Sequence, residues 1–233
     1  FGPTVVIDCA FLTRDRTDVM PLDVFVETNR RLTAQLIDAA RLPTVRLALT
    51  ISSGAAVYPV DALSVPLEAN PYGRLKREAE QRLRDAVGSN GAHAVVARAW
   101  SVSGGHVQNA DHYALSSMIK AAAHGAIHVA ARRPVFRRYG LADELLALAL
   151  AEGSAGSAEL ESGGELVEMG ELARRVARVI NREAAVTRAE LDSDETDAYY
   201  SSGRAWDAAL ARWDLRPTSL ETQITITARG VLG

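Results

Sequence analysis

The segment Asn70-Pro71-Tyr72-Gly73-Arg74-Leu75-Lys76 determines how the rest of the chain is interpreted. Asparagine is a good N-cap and proline suits the first helical position, so the segment opens a helix that we predict over residues 71–87. Gly88 is expected to end this helix. Apolar residues recur at every fourth position of the predicted helix: Leu75, Ala79, Leu83 and Val87.

Side chains four residues apart lie on one face of a helix, so the phenol of Tyr72 and the amine of Lys76 can contact one ligand. A phenol with a pKa near ~10 is a poor acid or base at neutral pH unless a charge stabilises its phenolate. A cation at ~4 Å in an effective dielectric of ~20 supplies about 4 kcal/mol, or roughly three pKa units. The pair can therefore exchange a proton with an alcohol oxygen while a cofactor takes the hydride. The alternative is that a surface tyrosine and lysine share this spacing by chance.

The segments around this helix predict a parallel sheet. Residues 47–51 and 94–97 are apolar runs of strand length, and a strand over 4–10 and a helix over 21–42 precede them. This alternation is the βαβ pattern of an α/β fold. Further elements are predicted toward the C-terminus: helices 113–123, 141–151 and 169–180, and short strands 127–130 and 157–160. Because ligands bind at the carboxyl ends of parallel strands, Ser53 should lie close to the Tyr72 and Lys76 face.

Composition limits the possible functions. The chain of 233 residues has 26 basic and 29 acidic side chains and a net charge of -3, which gives no broad electrostatic footprint for nucleic acid. One cysteine excludes an internal disulfide, and the scattered histidines lack neighbouring metal ligands, so no metal site is expected. No apolar run approaches the ~20 residues that cross a bilayer, and no charged leader precedes an apolar core. We therefore expect a soluble cytoplasmic protein that does not bind membranes.

Taken in order, these segments resemble the extended short-chain dehydrogenase/reductase family, in particular its NAD-dependent nucleotide-sugar epimerases and dehydratases. The resemblance runs through nearly the whole sequence. It is carried by the following residues: Thr4-Val5-Val6-Ile7-Asp8-Cys9-Ala10, Asn29, Ser53, Tyr72, Lys76, His112-Tyr113-Ala114-Leu115, Phe136-Arg137-Arg138-Tyr139, and the tail from Trp213 to Glu221.

This resemblance implies a Rossmann-like doubly wound parallel sheet with a small C-terminal substrate-binding lobe. Residues 1–107 would form the C-terminal half of the dinucleotide-binding domain and carry the catalytic residues. Residues 108–233 would form mainly the substrate-binding lobe, with segments that return to the sheet. The family also implies a homodimer held by a four-helix bundle, to which each copy contributes the helices 21–42 and 71–87.

The resemblance further implies roles for individual residues. Tyr72, Lys76 and Ser53 match the catalytic trio, in which the tyrosine is the acid/base, the lysine tunes it and the serine orients the reacting oxygen. The residues that would bind NAD or NADP are Ala10, Asn29, Ser52, Tyr72, Lys76, Trp100, Ser101 and Val102. The nucleotide sugar would contact Gly54, Ala55, His112 and Arg137, the arginine through the phosphates.

Two departures from the family pattern matter. No G-x-G-x-x-G loop is present, so a glycine-rich upstream part of about two βα units, roughly 60 residues, is expected to be absent from this chain. The choice between NAD and NADP depends on that part and stays open. In addition, counting from the strand places Ser53 at the catalytic hydroxyl position, whereas counting back from Tyr58 places Gly54 there; we favour Ser53.

The sequence therefore predicts NAD(P)-dependent modification of a nucleotide-activated sugar by hydride and proton transfer. Dehydratases of the family usually have an Asp-Glu pair after the catalytic hydroxyl, and here Gly54-Ala55 follow Ser53, so we rank epimerase slightly ahead of 4-ketoreductase or dehydratase. One alternative is a carbonyl reductase that acts on a compound other than a sugar and has the same scaffold. The other is a binding protein of this fold that has lost catalysis.

Overall fold

The computed structural model of the protein describes residues 2–87 and 91–233. The strands in these ranges are β1 (Val5–Asp8), β2 (Leu47–Ser53), β3 (His93–Ala99), β4 (Ser101–Ser103), β5 (Ala126–Val129), β6 (Val135–Leu141), β7 (Ala158–Glu161), β8 (Glu165–Glu168), β9 (Ala185–Arg188) and β10 (Asp197–Ala198). The helices are α1 (Leu22–Ala40), α2 (Pro71–Val87), α3 (Ala114–Ala123), α4 (Ala142–Ala155), α5 (Met169–Ile180), α6 (Arg204–Arg212) and α7 (Leu220–Leu232).

The chain divides into two compact units. Unit 1 contains the described residues up to Ala99 together with Leu145–Glu161, and unit 2 contains Trp100–Glu144 and Ser162–Gly233. The chain therefore leaves unit 1 after β3 and returns to it at Leu145, for most of α4 and for β7.

Unit 1 is built on a parallel sheet with the strand order β1-β2-β3-β7. All but one of the residues of β2 are buried, as expected for a central strand of a parallel sheet that is covered on both faces. Helices α1 and α2 pack against each other, and Leu36, Ile37, Leu83 and Val87 contribute to the core between these helices and the sheet. The predicted α/β class and parallel sheet are confirmed.

Unit 2 has a separate core. Strands β10, β6 and β4 pair in that order, with β8 antiparallel to β6, while β5 pairs with β9. Helices α3, α5 and α7 supply most of the apolar side chains of this core, including Ile119, Leu172 and Ile224, which are fully buried.

Most predicted elements agree with the structure to within a few residues. Helix α2 has the predicted bounds; Gly88, expected to end it, lies outside the described residues. Strands β4, β6, β8, β9 and β10 were not predicted, and neither were helices α6 and α7. Strand β6 contains Arg137-Arg138 and β8 contains Glu165 and Glu168, so charged residues masked the strand pattern in both.

Candidate active site

The start of helix α2 is fixed tightly against the turn that follows β2. The Asn70 side chain accepts a hydrogen bond from the Gly73 amide at 3.0 Å and donates one to the Ala55 carbonyl at 3.1 Å. A Cβ atom on Gly73 would lie 2.1 Å from the same carbonyl oxygen, so only glycine permits this approach. The N-cap asparagine and the glycine together place the first turn of α2, with Tyr72, beside the carboxyl end of β2.

The amine of Lys76 lies in a buried position below this turn. Lys76 is only 6% exposed, and its Nζ donates a hydrogen bond to the Ile51 carbonyl of β2 at 2.7 Å. Burial lowers the pKa of this ammonium from 10.5 to about 8, although the nearby Asp8, Cys9 and Glu80 act in the opposite direction. The group therefore titrates close to neutral pH, unlike an ordinary lysine.

One aromatic ring contacts both members of the predicted pair. Phe11, on the loop after β1, has the Nζ of Lys76 3.7 Å from its ring centroid. The rings of Phe11 and Tyr72 meet edge to face with centroids 5.9 Å apart. Phe11 therefore contacts the side chains of both Tyr72 and Lys76.

Ser53 is the last residue of β2, and its hydroxyl accepts a hydrogen bond from the Ala55 amide at 3.2 Å. Gly54 and Ala55 lie in the 3-10 turn Gly54–Ala56, which Ser53 caps. Asn70 binds the carbonyl of the same turn. The strand register therefore leaves a hydroxyl at the end of β2 and a glycine at the position after it.

A buried ionic network lies one helical turn beyond Lys76. The Glu80 side chain is fully buried and accepts hydrogen bonds from Arg98 at 2.8 and 2.6 Å, from Ser52 at 2.5 Å and from Arg77 at 3.0 Å. Burial would raise the pKa of Glu80, but the hydrogen bonds from Arg98 and its other partners hold that pKa below the usual value. The network ties α2 to β2 and β3, on which Ser52 and Arg98 face each other.

The loop after β1 is held by the predicted helix asparagine. Asn29 is fully buried; its side chain accepts a hydrogen bond from the Leu12 amide at 2.8 Å and donates one to the Leu12 carbonyl at 3.4 Å. Ala10 is exposed on this loop, and its amide donates to Asp8 at 3.2 Å. Ser52 therefore holds α2 through Glu80, and Asn29 holds the loop after β1. Ala10 lies exposed on that loop.

The remaining predicted residues lie in unit 2. Trp100 precedes β4, and Ser101 and Val102 belong to that strand, in which Val102 is exposed. The Trp100 amide donates to the Ser162 hydroxyl at 2.9 Å. His112 is exposed at the end of the 3-10 turn that precedes α3.

Arg137 projects from β6 and binds an acidic residue. Its guanidinium donates to the carboxylate of Asp197 at 2.8 Å and lies 5.7 Å from the ring centroid of Tyr199. The hydrogen bond from Arg137 holds the pKa of Asp197 below its usual range. An anion that binds this guanidinium therefore has to share it with Asp197, or replace Asp197 as its ligand.

Sequence reasoning missed three residues of functional interest: Phe11, Glu80 and Asp197. Glu80 follows Lys76 by four residues, and a carboxylate on the apolar face of an amphipathic helix is a signal of a buried ion pair. Phe11 and Asp197 depend on contacts between segments distant in sequence, for which the chain offers no local signal.

Residues 1–147 match the model of the NAD dependent epimerase/dehydratase family. The match spans more than half of the chain, and the protein therefore belongs to this family of NAD-dependent enzymes. No curated protein matches the chain. Within the described ranges, no helix is long and apolar enough to span a membrane, and no group of three or more potential metal ligands is found.

Solved structures with the same fold have low sequence identity. A UDP-glucose 4-epimerase from Thermus thermophilus in complex with NAD superimposes with a TM-score of 0.72 at 20% identity, over 99% of this chain and 78% of that one. A UDP-N-acetylglucosamine 4-epimerase from Methanobrevibacter ruminantium gives 0.73 at 16%, over 98% and 76%. A GDP-L-fucose synthetase from Naegleria fowleri gives 0.77 at 13%, over 99% and 77%. These likenesses establish the Rossmann-like fold.

Proposed function

We propose that the protein modifies a nucleotide-activated sugar by NAD(P)-dependent hydride and proton transfer, with Tyr72 as the acid/base. The observation that carries this proposal is that Tyr72 and Lys76 both contact the Phe11 ring, on a helix whose start is bound to the turn that Ser53 caps at the end of β2. Family membership and structural neighbours that act on UDP-sugars support the substrate class.

The side chains present fit a nicotinamide cofactor. An ammonium has three donors, of which the Ile51 carbonyl takes one, so Lys76 can also bind a ribose hydroxyl. When bound, the cofactor supplies reversible hydride transfer. Ala10 and the backbone after β1 would contact it, while Asn29 and Ser52 act by holding the loop and the helix in place.

Proton transfer is the task of Tyr72 in this proposal. The positive charge of Lys76 stabilises the phenolate, so the phenol can take a proton from a sugar hydroxyl and return it later. Ser53, with Gly54 and Ala55 beside it, would orient the reacting oxygen. We place epimerase slightly ahead of 4-ketoreductase and dehydratase because no acidic residue follows Ser53 in the turn Gly54–Ala56.

A Tyr72→Phe variant tests the proton-transfer role. Acid/base catalysis contributes about 100- to 10,000-fold, so turnover on UDP- and GDP-hexoses with NAD or NADP should fall by at least about 100-fold. Tyr113→Phe, which removes an exposed phenol of unit 2, is the matched control and should leave turnover unchanged. Undiminished turnover by a folded Tyr72→Phe protein would remove the catalytic role of Tyr72, whereas the binding-protein alternative expects no turnover by the unaltered protein either.

Arg137 is the proposed ligand of the sugar-nucleotide phosphates in unit 2, and His112 is a further substrate contact. Charge removal in Arg137→Met should raise the KM for a nucleotide sugar by about 10- to 100-fold, in line with the loss of a charge-assisted hydrogen bond. Arg132→Met removes an exposed arginine of the same unit, paired with Asp192, and should change little. Equal KM values for both variants would point to a carbonyl substrate without a diphosphate.

We also propose that two copies associate through α1 and α2. These helices are joined by the Arg30–Glu78 ion pair at 3.1 Å, and exposed charges of both signs line the groove between them: Asp38, Arg41, Arg82 and Asp85. A two-fold axis can pair such a surface with itself. Sedimentation velocity should detect a dimer that the charge reversal Arg82→Glu weakens; a monomer at all concentrations would contradict the proposal.

A further inference from the structure

Phe11 contacts both reactive groups and has no role in the proposed chemistry. Its ring lies on the ammonium of Lys76, with 3.7 Å between Nζ and the ring centroid, and meets the ring of Tyr72 edge to face at 5.9 Å. The ring face carries the negative part of the aromatic quadrupole, so the ammonium is on its favourable side.

The loop that carries Phe11 is anchored. The next residue, Leu12, has both its amide and its carbonyl bound by the buried side chain of Asn29. On the other side of Phe11, the Ala10 amide is held by Asp8. Phe11 and Leu12 also pack against the apolar cluster around Phe25. The ring is thus held in place from both sides along the chain.

We propose that Phe11 is a positioning residue that keeps Lys76 in its charged form by covering the ammonium with its ring. The inference rests on the proposed function of Lys76. Asn29 contributes indirectly, because its two hydrogen bonds with Leu12 fix the loop from which the Phe11 ring extends.

The physical reason is the shortage of other support for a buried charge. Burial disfavours the ammonium and lowers its pKa to about 8. The titratable groups whose charges act on Lys76 are Asp8 from β1, Cys9 from the loop after it, and Glu80 from α2. Glu80 already neutralises Arg98. The face of the Phe11 ring attracts the ammonium and so replaces part of the stabilisation that water gives an exposed lysine. Cation-π contacts are stronger at buried sites than at exposed ones.

A direct titration tests the proposal, because the sequence contains only two lysines, Lys76 and Lys120. The protein labelled with 13C at lysine Cε gives two NMR signals, which Lys120→Arg assigns. Phe11→Leu keeps an apolar side chain of similar size but removes the ring. We expect the midpoint of the Lys76 signal to fall by about one pH unit, a roughly tenfold loss in the ammonium-to-amine ratio, while Lys120 stays constant.

The matched control is Phe25→Leu, which removes a fully buried ring from the same cluster but leaves the Phe11 ring over Lys76 in place. A general loosening of the cluster would shift the Lys76 midpoint in both variants, whereas the proposal expects a shift in Phe11→Leu alone. Asn29→Ala should shift it in the same direction by a smaller amount. An unchanged midpoint in a folded Phe11→Leu protein overturns the inference. The titration needs neither cofactor nor substrate, so its outcome is separate from that of the Tyr72→Phe test.

Discussion

Replacing Glu80 with glutamine should destabilise the protein far more than other changes on the same helix. The carboxylate is fully buried, and the side chain of its main partner, Arg98, is only 8% exposed. Removing one partner of a buried ion pair costs about 3–5 kcal/mol, because the other charge remains buried without compensation. Arg98 also contacts Glu159 at 2.9 Å and Glu161 at 3.7 Å, which offset part of this loss. We therefore expect the lower end of the range, about 3 kcal/mol.

Urea unfolding followed by circular dichroism measures this change. With an m-value of about 2–3 kcal/mol/M for a chain of this size, the midpoint should fall by about 1 M or more. Hydrogen exchange should locate the loss in α2 and β3. Glu78→Gln is the matched control: Glu78 lies on the same helix and pairs with Arg30 and Arg74 at 3.1 and 3.2 Å, but its side chain is 20% exposed. That variant should lose less than about 1 kcal/mol.

The double variant Glu80→Met with Arg98→Met shows whether Glu80→Gln destabilises the protein through the unpaired charge of Arg98 or through altered packing. Removing both charges leaves no buried unpaired ion, so much of the stability lost by Glu80→Gln should return. If Glu80→Gln and Glu78→Gln lower the midpoint equally, the reasoning from burial is refuted. The same result would mean that the ion pairs of Arg98 with Glu159 and Glu161 suffice to compensate its charge.

Two further predictions concern the same unit. Gly73→Ala should destabilise the protein by about 1–3 kcal/mol despite the better helix propensity of alanine, because the new Cβ would lie 2.1 Å from the Ala55 carbonyl oxygen. Thermal melts measure this change. Gly156→Ala is the control, because its new Cβ would have no atom within 4 Å. The folded protein holds the pKa of Glu80 below its ordinary 4.5. The stabilisation that Glu80 contributes is therefore present above pH 4.5 and is lost as pH falls. In Glu80→Gln, the stability should depend less on pH in this acidic range.

The sequence was informative wherever a local rule decided the structure. The N-cap asparagine, the proline and the four-residue apolar repeat determine α2 without help from distant segments, and the bounds of that helix were predicted correctly. The apolar strands β2 and β3 were recognisable because both faces of a central parallel strand are covered.

Prediction was weaker where partners distant in sequence determine the structure. Strand β6 has two adjacent arginines between Phe136 and Tyr139, and its pairing with β8 and β10 becomes apparent only in three dimensions. The same holds for the candidate site. The pairing of Arg137 with Asp197 joins residues 60 positions apart, and the contact of Phe11 with Lys76 joins a loop to a helix. Spacing along the chain indicated the proposed reactive pair but not the side chains that contact it.

The titration of Lys76 should affect activity and stability in opposite directions. Its folded pKa of about 8 lies below the ordinary 10.5, so between these values the unfolded chain binds the proton more tightly. Unfolding then takes up protons, and the stability contributed by this residue rises as pH increases from about 8 toward 10.5.

The proposed chemistry, however, needs the ammonium, so turnover should fall over the same pH range. Comparing thermal melts and turnover of the protein with those of Lys76→Met over this pH range checks both the expected rise in stability and the expected fall in turnover. The variant should be inactive, and its stability should lack the rise above pH 8. If turnover of the unaltered protein stayed constant through pH 9 while its stability rose, Lys76 would be a buried structural amine whose charge plays no part in catalysis.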